Sequence, residues 1–334
     1  MAKEFRAPGK DVIQKIWQEF GLNEQRVKES VEALKNWLAM EPHLPEESGS
    51  LHDARLERWL IRCKNSMERT KQSIDFYYTL KSLSPDMMCN WNPRSKWYQD
   101  AVEIFCFFPM PELTPEGDRV IIFKYLTKDA TKFVPDNLTK VCLMTSEVRM
   151  CEEYCSSDIF IFDMQNYTLG HASKVTFTSV KKGEVCVMKA FNTRLKAFHI
   201  INAPSYAEVL IGLLKAVLSS KLTSRIYVHG KDLTNFTKQV PQMCLPDDLG
   251  GTGGSLQENW SNLNTRYIFA MMGLLRVAVL LQGHHFIFTS IFIVHEFFNV
   301  LHSHPCTNKL PTILNTEPRP RMQSKSPYGH SKQY

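Results

Sequence analysis

Several signatures of chemistry are missing from this 334-residue chain, and each absence removes a class of function. The opening residues MAKEFRAPGK hold no apolar run, so no secretory signal is expected. Gly250-Gly251-Thr252-Gly253-Gly254 follows no apolar strand and precedes no Gly-Lys-Ser/Thr, so it reads as a turn rather than a phosphate cradle. No Gly-x-Ser-x-Gly elbow occurs, and Asp158 and Asp163 flank an apolar run without a nucleophile to serve. His295-Glu296 begins like a zinc-protease helix, but Asn299 stands where the second histidine should be. Cys151 and Cys155 lie four apart without the further ligands a zinc site needs. An enzyme, a metal and a cofactor are therefore not expected. A large charge of one sign is also missing. The net +6 comes from 40 basic and 34 acidic residues, which argues against a nucleic-acid partner.

What is present fits a globular protein, with 43% hydrophobic and 22% charged residues. The nine cysteines sit mostly in apolar segments such as Val141-Cys142-Leu143 and Val185-Cys186-Val187. Their odd number and their settings point to reduced thiols in a cytosolic protein. Helical spacing over Asp11–Phe20 and Asn23–Met40 predicts two short helices. A single third helix is expected from near Leu51 through Lys81, completing a helical module over residues 8–83. Ser84-Pro85 to Pro93 reads as a linker, with Trp91 and Trp97 packing at the join.

A second domain is expected over residues 95–258. Arg119–Leu126 and Asp158–Met164 are near-continuous apolar runs, as in strands covered on both faces. Pro135-Asp136-Asn137 opens a helix between them, and Ser179–Phe191 reads as another helix despite Gly183. The stretch Leu195–Gly230 then reads strand, turn, helix, strand. This alternation predicts an α/β domain with a parallel or mixed sheet and right-handed crossovers.

Within that stretch, Val209, Leu210, Leu213, Leu214, Val217 and Leu218 recur at helical steps, and Ala207 and Ile211 widen the stripe beyond half the circumference. Two readings stay open: a well-buried crossover helix, or a movable wall over an apolar cavity. The same stretch carries six basic residues against the single acid Glu208. Arg194 and Lys196 precede the first strand while Lys221 and Arg225 follow the helix, so a βαβ unit brings both pairs to one end. That end is either an anion site or a solvated basic rim.

After Glu258 the chain becomes an atypical apolar tail over 259–302. Its halves, Tyr267–Leu281 and Phe286–Leu301, are each shorter than the roughly 20 residues of a membrane span. A helical hairpin packed on the body or dipped into a membrane interface is expected instead. Residues 303–334, with five prolines and many Ser, Lys and Arg, read as disordered.

Several motifs taken together resemble the CRAL-TRIO lipid-binding family. They are Leu56–Leu80, Thr145-Ser146-Glu147, Ile161-Phe162-Asp163-Met164, Phe198-His199-Ile200-Ile201-Asn202-Ala203-Pro204, His229-Gly230 and Leu245-Pro246 through Gly251. The resemblance implies a small helical N-terminal domain and a parallel or mixed sheet domain whose gate helix, Ser205–Ser219, closes a hydrophobic pocket. It implies pocket positions at Cys142, Ser146, Phe162, Cys186, Phe198, Tyr206, Leu210 and Leu214, and phosphoinositide-binding positions at Arg194, Lys196, Lys221 and Arg225. The implied function is a non-enzymatic, cytoplasmic lipid-transfer protein. It would enclose one tocopherol-, retinoid- or phospholipid-like ligand and dock peripherally on phosphoinositide-containing membranes. The alternative is a membrane-recruited adaptor with a vestigial pocket. The chain departs from the family pattern at Ile61 and Cys63, where basic residues are usual, and at Asn65, where an aromatic is usual.

Overall fold

The computed structural model describes residues 8–45, 50–89, 91–230, 232–262 and 264–265. The tails expected over 259–302 and 303–334 lie almost wholly outside the described residues. Among the described residues, no helix is long and apolar enough to cross a membrane.

Four helices open the chain: α1 (Lys10–Glu19), α2 (Glu24–Ala39), α3 (Ser50–Arg62) and α4 (Met67–Leu83). Asn23 caps α2 by accepting from the Arg26 amide at 2.9 Å. The single helix expected from Leu51 to Lys81 is in fact α3 and α4, broken at Lys64-Asn65. Both residues are left-handed, with φ of 57° and 58°. The Asn65 amide donates back to Leu60 O and the Lys64 amide to Ile61 O, each at 2.9 Å, closing α3 in a Schellman-type turn. Asn tolerates this conformation because its short polar side chain bonds locally, here donating to Phe20 O at 3.1 Å. The module joins the rest of the chain through buried Glu147, which accepts from the Tyr77 hydroxyl at 2.6 Å and pairs with Arg55 at 3.3 Å. The linker segment forms the short α5 (Pro85–Met88), with Trp91 Nε1 donating to Met87 O at 2.7 Å, and α6 (Lys96–Ile104) follows.

The sheet has five strands in the order β1 (Phe105–Leu113), β2 (Arg119–Tyr125), β3 (Asp158–Asp163), β4 (Leu195–Ile201) and β5 (Ile226–Val228). The β1–β2 pair is antiparallel and the remaining pairs are parallel, so the sheet is mixed. Sequence spacing does not reveal β1, because Pro109 and Pro111 break its pattern. A strand at the sheet edge tolerates prolines, since their missing amides face no partner. Between strands lie α7 (Pro135–Glu152), α8 (Leu169–Ala172), α9 (Phe177–Gly183) and α10 (Glu208–Val217), then α11 (Ser220–Thr223), with α12 (Thr234–Thr237) after β5. The single helix expected over Ser179–Phe191 becomes π-helical at Glu184–Lys189, immediately after Gly183.

Alternation along the strands divides the two faces. Ile121, Phe123, Tyr125, Phe160, Phe162 and Phe198 join the core beneath α7 and α10. Val120, Ile122, Ile159, Ile161 and Ile201 pack on the other side with Phe236, Leu245 and Trp260. The first of these faces carries most of the strand aromatics, although Phe108 of β1 packs against Trp260 on the other. A buried ion network pins the junction of α7 with β2 and β3: Glu153 bonds both Arg119 and Arg149, and Arg149 reaches Asp158 at 2.5 Å. Burial by itself would raise the Glu153 pKa, but Arg149 and Arg119 outweigh it and hold the carboxyl down at about 2. Asn202, left-handed at φ 52°, donates to Asp163 at 2.8 Å and ties the ends of β3 and β4. The glycine cluster is a tight turn. A Cβ on Gly251 would stand 2.1 Å from Leu245 O, and one on Gly253 2.6 Å from it.

Candidate functional site

A cavity of about 200 Å3 lies between the aromatic face of the sheet and the helices over it. Its floor is Phe107, Phe123, Tyr125, Phe160, Phe162 and Phe198, and its walls come from α7, from α9 with its π continuation, and from α10. Of the positions expected to line a pocket, Cys142, Phe162, Phe198, Leu210 and Leu214 do so. Ser146, Cys186 and Tyr206 do not. Ser146 turns its hydroxyl back onto Cys142 O at 2.9 Å. Cys186 is buried in core, because the wide π turn carries Glu184, Val187 and Met188 to the cavity side instead. Tyr206 sits outside the lining and donates its hydroxyl to Tyr167 O at 2.7 Å, fastening the turn ahead of α10. Beyond Phe162 and Phe198, the strand aromatics Phe123, Tyr125 and Phe160 were not anticipated, although their signal is present as alternate positions within VIIFKY and DIFIFD.

The wall expected at Ser205–Ser219 is a 3-10 turn (Ser205–Ala207) leading into α10, and the chain is extended again at Leu218. Leu210 and Ile211 are buried against the body, while Val209 on the same helix is 64% exposed. Apolar surface thus occupies both sides of α10.

At the N-terminal ends of β4 and β5 lies an open basin of about 840 Å3. Parallel pairing causes this convergence. Phe198 donates to Arg225 O at 2.8 Å, setting the residues that lead into β5 beside the start of β4. Arg194, Lys196, Lys221 and Arg225 all line the basin, with Arg62, Lys64, Arg69 and Lys189 added and Glu19, Glu116 and Asp118 opposing. Three of the four expected cations are engaged by the protein itself. Arg194 pairs with Glu19 at 3.1 Å, donates to Ser156 O at 2.8 Å and lies 4.3 Å over the Phe20 ring. Lys196 pairs with buried Asp118, and Arg225 donates to Leu195 O. The side chain of exposed Lys221 has no hydrogen bond or ion pair among the described residues. Ile61 and Cys63 are buried, and neighbouring Arg62, Lys64 and Arg69 line the basin.

An aromatic-floored cavity thus lies under an amphipathic crossover helix, with a basic basin on the same βαβ unit. Residues 106–251 match the CRAL/TRIO domain, and residues 23–98 match the Pinta-like UBA domain. Residues 106–251 of the chain thus carry a CRAL/TRIO domain. The chain is 25% identical over 248 residues to "Alpha-tocopherol transfer protein-like" of Homo sapiens, covering 74% of this chain and 71% of that one. Clavesin-1 of Rattus norvegicus is 23% identical over 248 residues, covering 72% of this chain and 68% of its own. A solved structure of Sfh5 aligns over 72% of this chain and 91% of its own, at 12% identity and a TM-score of 0.45.

Proposed function

We propose that the protein is a non-enzymatic lipid carrier that encloses one hydrophobic ligand beneath α10 and exchanges it at phosphoinositide-bearing membranes. The observation carrying this reading is the cavity itself: an apolar chamber over a continuous aromatic sheet face, closed by a helix with apolar residues on both sides. A free lipid burying roughly fifteen methylenes gains about 0.8 kcal/mol for each, so desorption into water is very slow. A carrier must replace that contact before the lipid leaves the bilayer. At about 200 Å3, the cavity is smaller than the roughly 300–1,000 Å3 usual for ligand pockets. Loading therefore requires α10 to move outward, with Asn202-Ala203-Pro204 and Leu218-Ser219 as its hinges. Val209 and the lining leucines would then trade protein contact for lipid contact, while the basin holds phosphorylated head groups. The helical module over 8–83 would brace the basin, and the 95–258 domain would hold the ligand. A tocopherol-like lipid is one candidate ligand, from the name of the human relative.

The small cavity also favours a second reading, a membrane-recruited adaptor whose pocket is vestigial. Native mass spectrometry of the full chain separates the two. A carrier retains a co-purifying lipid and takes up a fluorescent acyl probe. Protein that is consistently empty and takes up no probe refutes the carrier.

A further inference from the structure

Buried polar groups ordinarily carry hydrogen-bond partners, so those without one indicate what a ligand would have to supply. One such group, His171 Nε2, stands behind Tyr125 at one end of the cavity. Tyr125, the last residue of β2, is 2% exposed and lines the chamber. Its backbone carbonyl accepts from Asn166 Nδ2 at 3.0 Å, but its hydroxyl makes no hydrogen bond among the described residues. A buried tyrosine hydroxyl normally finds a partner. Cys142 lines the same chamber as a free, buried thiol. Behind Tyr125, at 4.5 Å between ring centroids, stands His171, which is 0% exposed and whose Nε2 has no partner.

The local structure fixes the proton on His171. The Thr168 amide donates to Nδ1 at 3.2 Å in the capping box of α8, so Nδ1 is the acceptor and the hydrogen belongs on Nε2. Burial, reinforced by Tyr167 and Cys142, holds the Tyr125 hydroxyl well above its ordinary pKa, and burial raises the Cys142 thiol too. All these groups therefore keep their hydrogens. This end of the chamber presents O–H and S–H donors, with an N–H directly behind, against a floor of phenylalanine rings that accept nothing comparable.

We propose that Tyr125, with Cys142 beside it, is the polar anchor of the cavity. The ligand it selects is a lipid carrying a carbonyl-type acceptor, a ketone, aldehyde or ester, on an otherwise hydrocarbon body. This rests on the carrier reading and adds the chemical class of the cargo. Satisfying a buried donor is worth about tenfold in affinity.

The test displaces a fluorescent acyl probe from the full chain with heptadecan-2-one, heptadecan-2-ol and heptadecane. The ketone should compete about tenfold better than the alkane, with the alcohol no better than the ketone. Tyr125→Phe should erase the preference for the ketone over the alkane. Its melting temperature should hold or rise, since no bond within the protein is lost. Equal competition by all three lipids, an alcohol stronger than the ketone, or a ketone preference that survives Tyr125→Phe would overturn the anchor and leave the carrier reading standing. Failure of the wild type to take up the probe at all would remove both.

Discussion

Lys221 offers the cleanest perturbation of the basin. Arg194, Lys196 and Arg225 all bond within the protein, so replacing any of them changes the fold as well as the charge. Lys221 is exposed on α11 and its side chain carries no such bond among the described residues, so Lys221→Glu should leave the melting temperature almost unchanged. A basic residue near an anionic surface contributes about 1 kcal/mol, and reversal exchanges that attraction for a comparable repulsion. The total, about 2 kcal/mol, is roughly a thirty-fold loss of affinity. The assay is co-sedimentation with phosphatidylcholine vesicles, with and without phosphatidylinositol bisphosphate, at low and high salt. The deficit should appear on the phosphoinositide vesicles and shrink at high salt, where the screening length falls from about 10 Å toward 3 Å. Lys28→Glu makes the same change in net charge on α2, away from the basin lining, and serves as the control. If the two variants lose equally, or if Lys221→Glu weakens binding to neutral vesicles as much, the head-group assignment is refuted.

Two further outcomes follow from the packing. Gly251→Ala should destabilise the protein by more than about 2 kcal/mol, because its Cβ would meet the Leu245 backbone, which cannot move aside. Urea unfolding measures this, and a neutral result would show that the turn is loose. The depressed Glu153 pKa makes a statement about acid. Its contribution is fully present above the ordinary value of 4.5 and is lost as pH falls through about 2, on the order of 3 kcal/mol in all. Unfolding free energies measured across that window should fall accordingly, whereas a flat profile would mean that the ion network does not stabilise the fold.

The βαβ stretch was legible because each part follows a strong local rule: apolar steps along α10, turn chemistry at Asn202-Ala203-Pro204, and β-branched flanks. The convergence of Arg194, Lys196, Lys221 and Arg225 followed from parallel topology alone. The pairing of Arg194 and Lys196 with carboxylates did not, because Glu19 reaches Arg194 across 175 residues and Asp118 reaches Lys196 across 78. Spacing carries no record of such distant partners. The break between α3 and α4 was hidden for another reason. Lys64-Asn65 contains neither glycine nor proline, and its left-handed turn is held partly by a bond to Phe20 in another helix. Cys186 was assigned to the pocket by family resemblance, which carries no record of the π segment that holds the residue in the core here.

The two outer strands carry a consequence for how the molecule behaves in a crowd. On one side β1 contains Pro109 and Pro111, and on the other β5 spans three residues, Ile226–Val228. Neither presents the long, regular row of unpaired amides that a strand from a second chain needs as a template. If α10 swings outward as proposed, its apolar surface invites self-association. Here the exposed surface would be helical and side-chain-borne, so contacts between copies could form and dissolve without spreading into a shared sheet.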